Sequence, residues 1–232
     1  MHAAPPGRHG NSPHPAPPDV SPLCEHARAR RRRSQRRGQS LVEFALVAPI
    51  FVLAVFAMVD GGLLLYSINT VDQAATVGSN TLAAAGRDSL ADITAVQRMA
   101  GAGLGATSLV TVTEIDVMQL ADNPAGGFQT NPDGSPKIQT GCAGGPNGGQ
   151  CVDRYSYTGG GSTPAVTVIN GTCPAAQDAS QCPPWPPSAR NVANGTSSFV
   201  GLKILYTYRY FTGIAATLSL TATKTFRLEP QT

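Results

Sequence analysis

The chain has 232 residues, of which 41% are hydrophobic and 13% are charged, and its formal net charge is +3 at pH 7. The excess positive charge lies at one end. Residues 1–37 carry eight arginines against two acidic residues, whereas residues 61–232 carry nine basic and ten acidic residues. These arginines come directly before an apolar run, where positive charges set the orientation of a membrane helix. Because this explains the basic residues, we expect no nucleic-acid partner. The 25 glycines and 19 prolines favour turns and short strands over a helical bundle.

Residues 1–37 are predicted to form a disordered, basic leader. Its first part is rich in proline, histidine and serine, and it has too few aliphatic residues to offset the entropy lost on ordering. A run of arginines ends the leader: Arg28, Arg30, Arg31, Arg32, Arg33, Arg36 and Arg37. Because arginine and lysine are enriched on the cytoplasmic side of membrane helices, this run places the N-terminus in the cytoplasm.

An apolar segment follows the leader, and residues 44–59 contain no charged side chain. A helix over residues 44–66 would be about 34 Å long, enough to cross a hydrocarbon core of about 30 Å. Glu43 lies at the cytoplasmic edge of this segment, and Asp60 lies near the outer edge. A cleavable secretory signal is the alternative, but the apolar run is long and no small-residue cleavage site follows it closely.

The remainder of the chain is predicted to be extracytoplasmic. Residues 67–105 are alanine-rich and free of proline, which predicts a helical extension with a break near residues 86–88. Residues 106–232 predict a mainly-β domain, with loops over most of residues 121–198. Strands are expected at residues 109–120, 165–169, 199–210 and 215–228. The fold class is therefore α+β: a long N-terminal transmembrane helix continues into a soluble helix, and a small antiparallel sheet of three or four strands follows.

Five cysteines are present, and four of them lie in the distal domain. Cys142 and Cys151 are nine residues apart, as are Cys173 and Cys182. Four cysteines allow three pairings, and the short loops favour Cys142–Cys151 and Cys173–Cys182. A zinc site built from all four thiolates is the alternative, although CxxC spacing is absent. Disulfides require an oxidising compartment, which agrees with an exported domain, and Cys24 is left unpaired.

The aromatic residues of the domain have structural interpretations. Trp185 lies among prolines, where a loop anchor packed against the core is favoured over an exposed adhesive contact. Tyr206, Tyr208 and Tyr210 alternate along a predicted strand and are expected to cover one face of the sheet.

Enzyme chemistry has little support in the sequence. All four histidines lie in the leader, at positions 2, 9, 14 and 26, so the exported domain lacks the usual general base and the commonest metal ligand. No nucleotide-binding or nucleophile motif is present. Glu114 and Asp116 would share one face of a strand, which is the arrangement that leaves carboxylate chemistry open. We expect no catalytic residue, no cofactor and no metal site.

The most informative segment begins RRGQSLVEFAL at Arg36. It resembles the TadE-like family, whose members are pilin-related components of the machinery that assembles tight-adherence (Flp-type) pili. The residues that carry the resemblance are Arg37, Gly38, Gln39, Val42, Glu43, Phe44, Pro49, Asp60, Gly61, Asn69, Ala74 and Ala75. The strong match covers about forty residues, within and just beyond a predicted transmembrane helix at residues 38–66.

The resemblance implies a non-catalytic, single-pass pseudopilin or minor pilin in the bacterial cytoplasmic membrane. Its expected partners are inner-membrane pilus assembly proteins, other pilins or pseudopilins, a prepilin peptidase and the lipid bilayer. It also implies cleavage between Gly38 and Gln39, after which Glu43, followed by Phe44, would neutralise the new amine of a neighbouring subunit. Asp60 would contact another pseudopilin or an inner-membrane assembly protein.

Other interpretations of these features remain open. Glu43 could sit at the membrane interface paired with Arg36 or Arg37, and Asp60 could be an interfacial residue in contact with water. For the whole protein, the alternative is a permanently anchored surface protein that binds an extracellular ligand through its disulfide-rich loops. A retained leader would favour that alternative over a processed subunit.

Overall fold

Helices form the N-terminal part of the protein and strands dominate the rest. Helix α1 spans Pro22–Ala85 and helix α2 spans Ala91–Gly101. The chain divides into two compact units, Met1–Val55 and Phe56–Thr232. The computed structural model describes residues 22–105, 108–143, 145–158, 165–168, 183–193, 198–213 and 216–229, with the backbone alone described for residues 22–38 and 165–168.

The first unit consists, in its described part, of the N-terminal portion of α1. From Gln39 to Ala85, α1 is long and apolar enough to cross a membrane, which agrees with the span predicted at residues 44–66. Its large apolar side chains in this unit are exposed: Leu41, Val42, Phe44, Leu46, Val47, Ile50, Phe51, Val52, Leu53 and Val55. A helix that is apolar all round needs apolar surroundings, and the hydrocarbon core of a bilayer provides them.

Helix α1 begins earlier than the sequence predicts. Residues 1–37 are predicted to be disordered, but the backbone is helical from Pro22 onward. The physical reason is local, because residues 23–37 contain no glycine or proline and are dominated by arginine, which favours helix. Residues 1–21 lie outside the described residues.

Within the described residues, the second unit contains a five-stranded antiparallel sheet with the order β3-β2-β1-β4-β5. The strands are β1 Val110–Gln119, β2 Val152–Thr158, β3 Ala165–Val168, β4 Phe199–Tyr208 and β5 Leu218–Arg227. Short helical turns occur at Pro146–Gly149 and Pro187–Ala189. Four of the strands were predicted, and the expected number of three or four is too low because β2 was assigned to a loop.

Strand β2 escaped prediction because a charged residue occupies its core face. Asp153 pairs with Val117 of β1, so its side chain points to the same side of the sheet as this buried apolar residue. A carboxylate at that position interrupts the alternation of apolar and polar residues that indicates a strand. The tyrosines that continue the core face, Tyr155 and Tyr157, are buried.

The core lies between the sheet and the two helices. Small residues of α1, including Ala74 and Ala75, are fully buried. Gly78 allows a particularly close approach, since a Cβ atom there would lie 2.5 Å from the sulfur of Met99 and 3.0 Å from Leu202. The alanine-rich extension therefore packs α1 closely against α2 and β4.

The predicted break between the helices is confirmed. Helix α1 ends at Ala85, and Gly86 follows with a φ of 52°, a left-handed conformation that glycine adopts without strain. The N–H of Gly86 donates to the carbonyl of Leu82 at 3.1 Å. Helix α2 then begins at Ala91 and turns its apolar side to the sheet.

Loops beyond β1 are held by a disulfide and by isolated bridges. Cys142 and Cys151 form a disulfide, as predicted. Cys173 and Cys182 lie outside the described residues, so their pairing stays a prediction, and the same holds for the side chain of Cys24. Isolated β-bridges join Leu120 to Ile138, Asp122 to Phe128, Thr130 to Pro136 and Thr140 to Gln150.

Candidate functional site

The predicted processing segment lies on α1 in the first unit. The side-chain amide of Gln39 donates to the Glu43 carboxylate at 3.2 Å, one helical turn away, and both residues are exposed. Phe44 is also exposed. The peptide bond between Gly38 and Gln39 lies inside the continuous helix. The side chains of the arginine run are outside the described part of the structure, so the interpretation of Glu43 as a partner of Arg36 or Arg37 stays untested.

Asp60 holds the connection between β4 and β5 against α1. It is only 8% exposed. One carboxylate oxygen accepts the backbone N–H of Phe211 at 3.0 Å, and the other accepts the hydroxyl of Thr212. A buried carboxylate is tolerated when such donors replace water. Asp60 is therefore bound within its own chain, and its predicted contact with an assembly partner stays a prediction.

Tyrosines line the core beside Asp60. Tyr206 and Tyr208 are buried on the core face of β4, as the alternation predicts. The rings of Tyr208 and Tyr210 pack edge to face with their centroids 5.3 Å apart. The hydroxyl of Tyr208 lies 3.5 Å from the carbonyl oxygen of Asp60. These rings support the end of β4 at which the chain turns toward β5.

A second polar site, which the sequence did not predict, is buried between α2 and β2. Arg190 is fully buried, and its Nη2 atom lies 2.7 Å from the Asp92 carboxylate and 3.4 Å from that of Asp153. Asp92 lies in the first turn of α2, whereas Arg190 follows the short turn Pro187–Ala189. We call Asp92, Asp153 and Arg190, with the two aromatic residues described next, the buried ion cluster.

Two aromatic residues complete the buried ion cluster. The hydroxyl of Tyr155 donates to Asp92 at 2.5 Å. The backbone N–H of Trp185 donates to Asp153 at 2.7 Å, and the guanidinium of Arg190 lies over the Trp185 ring at 4.7 Å from its centroid. Trp185 is 3% exposed, which confirms its prediction as a loop anchor.

The cluster contains two carboxylates and one guanidinium. This excess of acidic groups, together with burial, shifts the pKa values of its members. Burial, followed by repulsion from Asp92, raises the pKa of Asp153 from its ordinary 3.8 to about 8. Burial and the same carboxylates also raise the pKa of Tyr155. Burial would lower the pKa of Arg190, but the two carboxylates outweigh burial and raise it. Because these groups are closed to solvent, the cluster fixes α2 and the loop at residues 183–190 to the sheet rather than offering a binding site.

A smaller charged group lies on the opposite face of the sheet. Glu114 and Asp116 share one strand face, as predicted, and both contact Arg154, whose Nε atom is 3.3 Å from Glu114 and 3.7 Å from Asp116. Burial, followed by the hydrogen bond and charge of Glu114, raises the pKa of Asp116 to about 7. Arg154 is already paired with both carboxylates, so this group is explained as an ion network of the sheet.

The structure places the predicted site residues in different parts of the molecule. Glu43 and Phe44 are exposed in the first unit, whereas Asp60 belongs to the core of the second. Within the described residues, no group of three or more histidine, cysteine or acidic side chains is arranged to hold a metal ion. The buried ion cluster was missed because its members are widely separated along the chain. Only the proline-flanked Trp185 marked that region in the sequence.

Comparison with known families agrees with the resemblance. The family described as TadE-like protein matches residues 38–79, a segment that includes Gln39, Glu43, Phe44 and Asp60. The matched segment runs from the exposed apolar part of α1 into the part that packs on the sheet. No curated protein and no solved structure gives a significant match to the chain.

Proposed function

We propose that this chain, whose residues 38–79 carry a TadE-like segment, is a pseudopilin or minor pilin in the assembly of a tight-adherence (Flp-type) pilus or a related secretion system. The family match is the observation that carries the proposal. In this role the protein is a non-catalytic subunit. Its α1 helix lies beside the assembly machinery in the membrane, and its sheet domain primes, caps or joins the fibre.

The surface of α1 supports the proposed membrane placement. The exposed apolar side chains between residues 41 and 59 suit the hydrocarbon core of a bilayer. The arginine run on one flank places the N-terminus in the cytoplasm, so the disulfide-containing domain lies on the opposite, oxidising side. The membrane is the bacterial cytoplasmic membrane, and the protein crosses it once.

Processing is the sharpest part of the proposal. A prepilin peptidase would cut between Gly38 and Gln39, leaving a new amine at Gln39. In the structure the side chain of Gln39 already reaches the Glu43 carboxylate at 3.2 Å, so the two positions lie on the same side of α1. The Glu43 carboxylate would neutralise the new amine of a neighbouring subunit and set the axial register between them. The bond lies within helix, so the peptidase must unwind it locally, and Gly38 weakens helix at that point.

The partners are other pilins or pseudopilins and inner-membrane assembly proteins. Glu43 and Phe44 are exposed on α1 and are the first contact residues we propose. Asp60 contributes differently, since its carboxylate is occupied by the connection between β4 and β5. We propose that an assembly partner contacts α1 just beyond Asp60, where Leu65 and Tyr66 are exposed.

The test is an intact-mass and N-terminal analysis of the mature protein purified from its native membrane. We expect a chain that begins at Gln39. The variant Gly38→Trp should retain the leader, whereas Gly62→Ala on the same helix should be processed normally, since a Cβ at Gly62 meets nothing within 4 Å. A wild-type chain that retains Arg28 to Arg37 would contradict processing and favour a permanent anchor that binds a ligand.

A second measurement separates processing from assembly. In Glu43→Gln and Glu43→Ala variants the chain should still reach the membrane, but it should no longer co-purify with other fibre components. The replacement Gln73→Ala, at another exposed position of α1, is the matched control and should leave co-purification intact. Unchanged co-purification of both Glu43 variants would remove the proposed role of this carboxylate.

A further inference from the structure

The connection between β4 and β5 is tied to α1 at one point. We call residues 209–213 the β4–β5 turn. Its backbone N–H at Phe211 donates to Asp60 at 3.0 Å, and its Thr212 hydroxyl donates to the other carboxylate oxygen. Both bonds end on a charged acceptor with very little solvent exposure, and such charge-assisted bonds are strong. The turn is therefore held at the level of Asp60 along the helix.

The ring of Phe211 points away from the core. It is 66% exposed, although its backbone is fixed by Asp60 and the neighbouring Tyr208 is fully buried. Arg209, two residues earlier, is also exposed. The turn thus presents an aromatic ring and a positive charge, the side-chain types with which interfacial segments insert into lipid and bind anionic headgroups.

The position of Asp60 along α1 decides what this turn meets. Met58 and Val59, the last two residues before Asp60, are apolar and exposed. The apolar run of α1 continues past Asp60 to Leu65 and Tyr66, which are also exposed. If this run occupies the hydrocarbon core, Asp60 lies near its outer end, because each residue advances a helix by about 1.5 Å. A turn that is hydrogen-bonded to Asp60 then lies close to the outer lipid interface.

We propose that the β4–β5 turn is a second membrane contact, with the Phe211 ring inserted at the outer lipid interface and Arg209 close to the phosphate groups. The proposal rests on the single-pass placement put forward under the proposed function. This second contact would restrict the orientation of the domain. A domain held to the membrane by α1 alone can rotate about the helix axis, whereas a second contact limits that rotation.

The test uses tryptophan as a depth probe in the full-length protein, reconstituted into vesicles of a phosphatidylcholine and phosphatidylglycerol mixture. The single native tryptophan, Trp185, is buried and provides a constant background. The variant Phe211→Trp reports the depth of the β4–β5 turn in the membrane. The variant Phe51→Trp, at an exposed position in the apolar run, reports the depth of the membrane span. Ala125→Trp is the distal control, because it follows the end of β1 opposite to the end that pairs with Tyr208.

Quenching by lipids brominated on the acyl chain close to the headgroup should remove most of the added fluorescence of Phe211→Trp and none of that of Ala125→Trp. Lipids brominated near the chain terminus should quench Phe51→Trp more strongly than Phe211→Trp. If Phe51→Trp is quenched but Phe211→Trp behaves like Ala125→Trp, the proposed membrane contact of the β4–β5 turn is wrong and the membrane span is supported. If neither variant is quenched, both the span and the contact of the turn are wrong.

Discussion

Arg190 and Asp92 form a buried ion pair, with 2.7 Å between the guanidinium and the carboxylate and no solvent exposure of the arginine side chain. Asp92 belongs to α2, and Arg190 follows a proline-rich loop almost one hundred residues later in the chain. The pair therefore joins two segments that have no local reason to meet. Asp153, on β2, adds a second carboxylate and fixes both segments to the sheet.

Replacing Arg190 should destabilise the protein strongly. In Arg190→Met, Asp92 and Asp153 would remain buried without their cation, and breaking a buried pair in this way costs about 3–5 kcal/mol. Chemical denaturation of the full-length protein in detergent, followed by the fluorescence of Trp185, would measure the loss. The probe is suitable because Trp185 packs directly against Arg190.

The matched control for that variant is Arg98→Met. Arg98 is exposed on α2, so the same chemical change should alter the free energy of unfolding by less than about 0.5 kcal/mol. Equal effects of the two variants would show that the buried ion cluster contributes no more than a surface arginine.

Stability should fall as the pH rises from mildly acidic to mildly basic values. The pKa of Asp153 is raised from 3.8 to about 8, so between these values the folded protein binds a proton that the unfolded chain has lost. The contribution is fully present below about pH 4 and is lost as the pH passes about 8. Its slope is at most about 1.4 kcal/mol per pH unit for one proton. Asp116, with a pKa of about 7, acts in the same direction.

Asp153→Asn is the variant that checks the origin of this slope. An amide does not titrate, and its oxygen can still accept the N–H of Trp185. The free energy of unfolding of the variant should therefore change less than that of the wild type between roughly pH 5 and 8, the window that follows from the linkage relation. Asp133→Asn, at an exposed carboxyl whose pKa is lowered by Ser135, should leave the slope unchanged in that window. A slope that is the same in Asp153→Asn and the wild type would contradict the assignment.

The disulfide between Cys142 and Cys151 should stabilise the loops beyond β1. Replacing both residues by serine removes the closure of a short loop, and we expect a loss of about 2–3 kcal/mol in the free energy of unfolding. Trypsin leaves both cysteines in one peptide, residues 138–154, and this peptide should take up two alkyl groups only after reduction. A Cys173→Ser and Cys182→Ser double variant tests the second predicted bridge separately. Alkylation of Cys142 and Cys151 in the unreduced protein would contradict the bond.

Gly78 should resist substitution even though it lies in a helix. Alanine usually stabilises helix over glycine by about 1 kcal/mol, but here its Cβ would overlap the buried side chain of Met99 and touch Leu202. Overpacking of this kind costs about 1–3 kcal/mol, so Gly78→Ala should lower the thermal midpoint. Gly101→Ala, with nothing within 4 Å of its Cβ, is the control and should not lower it. A midpoint that rises equally in both variants would contradict the close packing of α1 on α2.

Elements with a clear local pattern were predictable. The alternation of apolar and polar residues located β1, β4 and β5, and Gly86 located the break after α1. The unpredicted strand, β2, carries Asp153 on its core face. A buried carboxylate is tolerated there because Arg190 pairs with it. A local sequence pattern cannot reveal such a partner, because the partner lies in another part of the chain.

Local sequence features were enough to predict a membrane-length apolar helix, a TadE-like segment along it, and a disulfide between cysteines nine residues apart. These features depend on composition and short spacing, which are local. The roles of Asp60, which holds the β4–β5 turn, and of Arg190, which is buried between two carboxylates, became visible in the folded structure alone. These contacts join residues that are 37 to 152 positions apart. The free energy of burying such a charge depends on the donors and acceptors that folding brings close to it. The packing of the helices on the sheet determines which donors and acceptors these are.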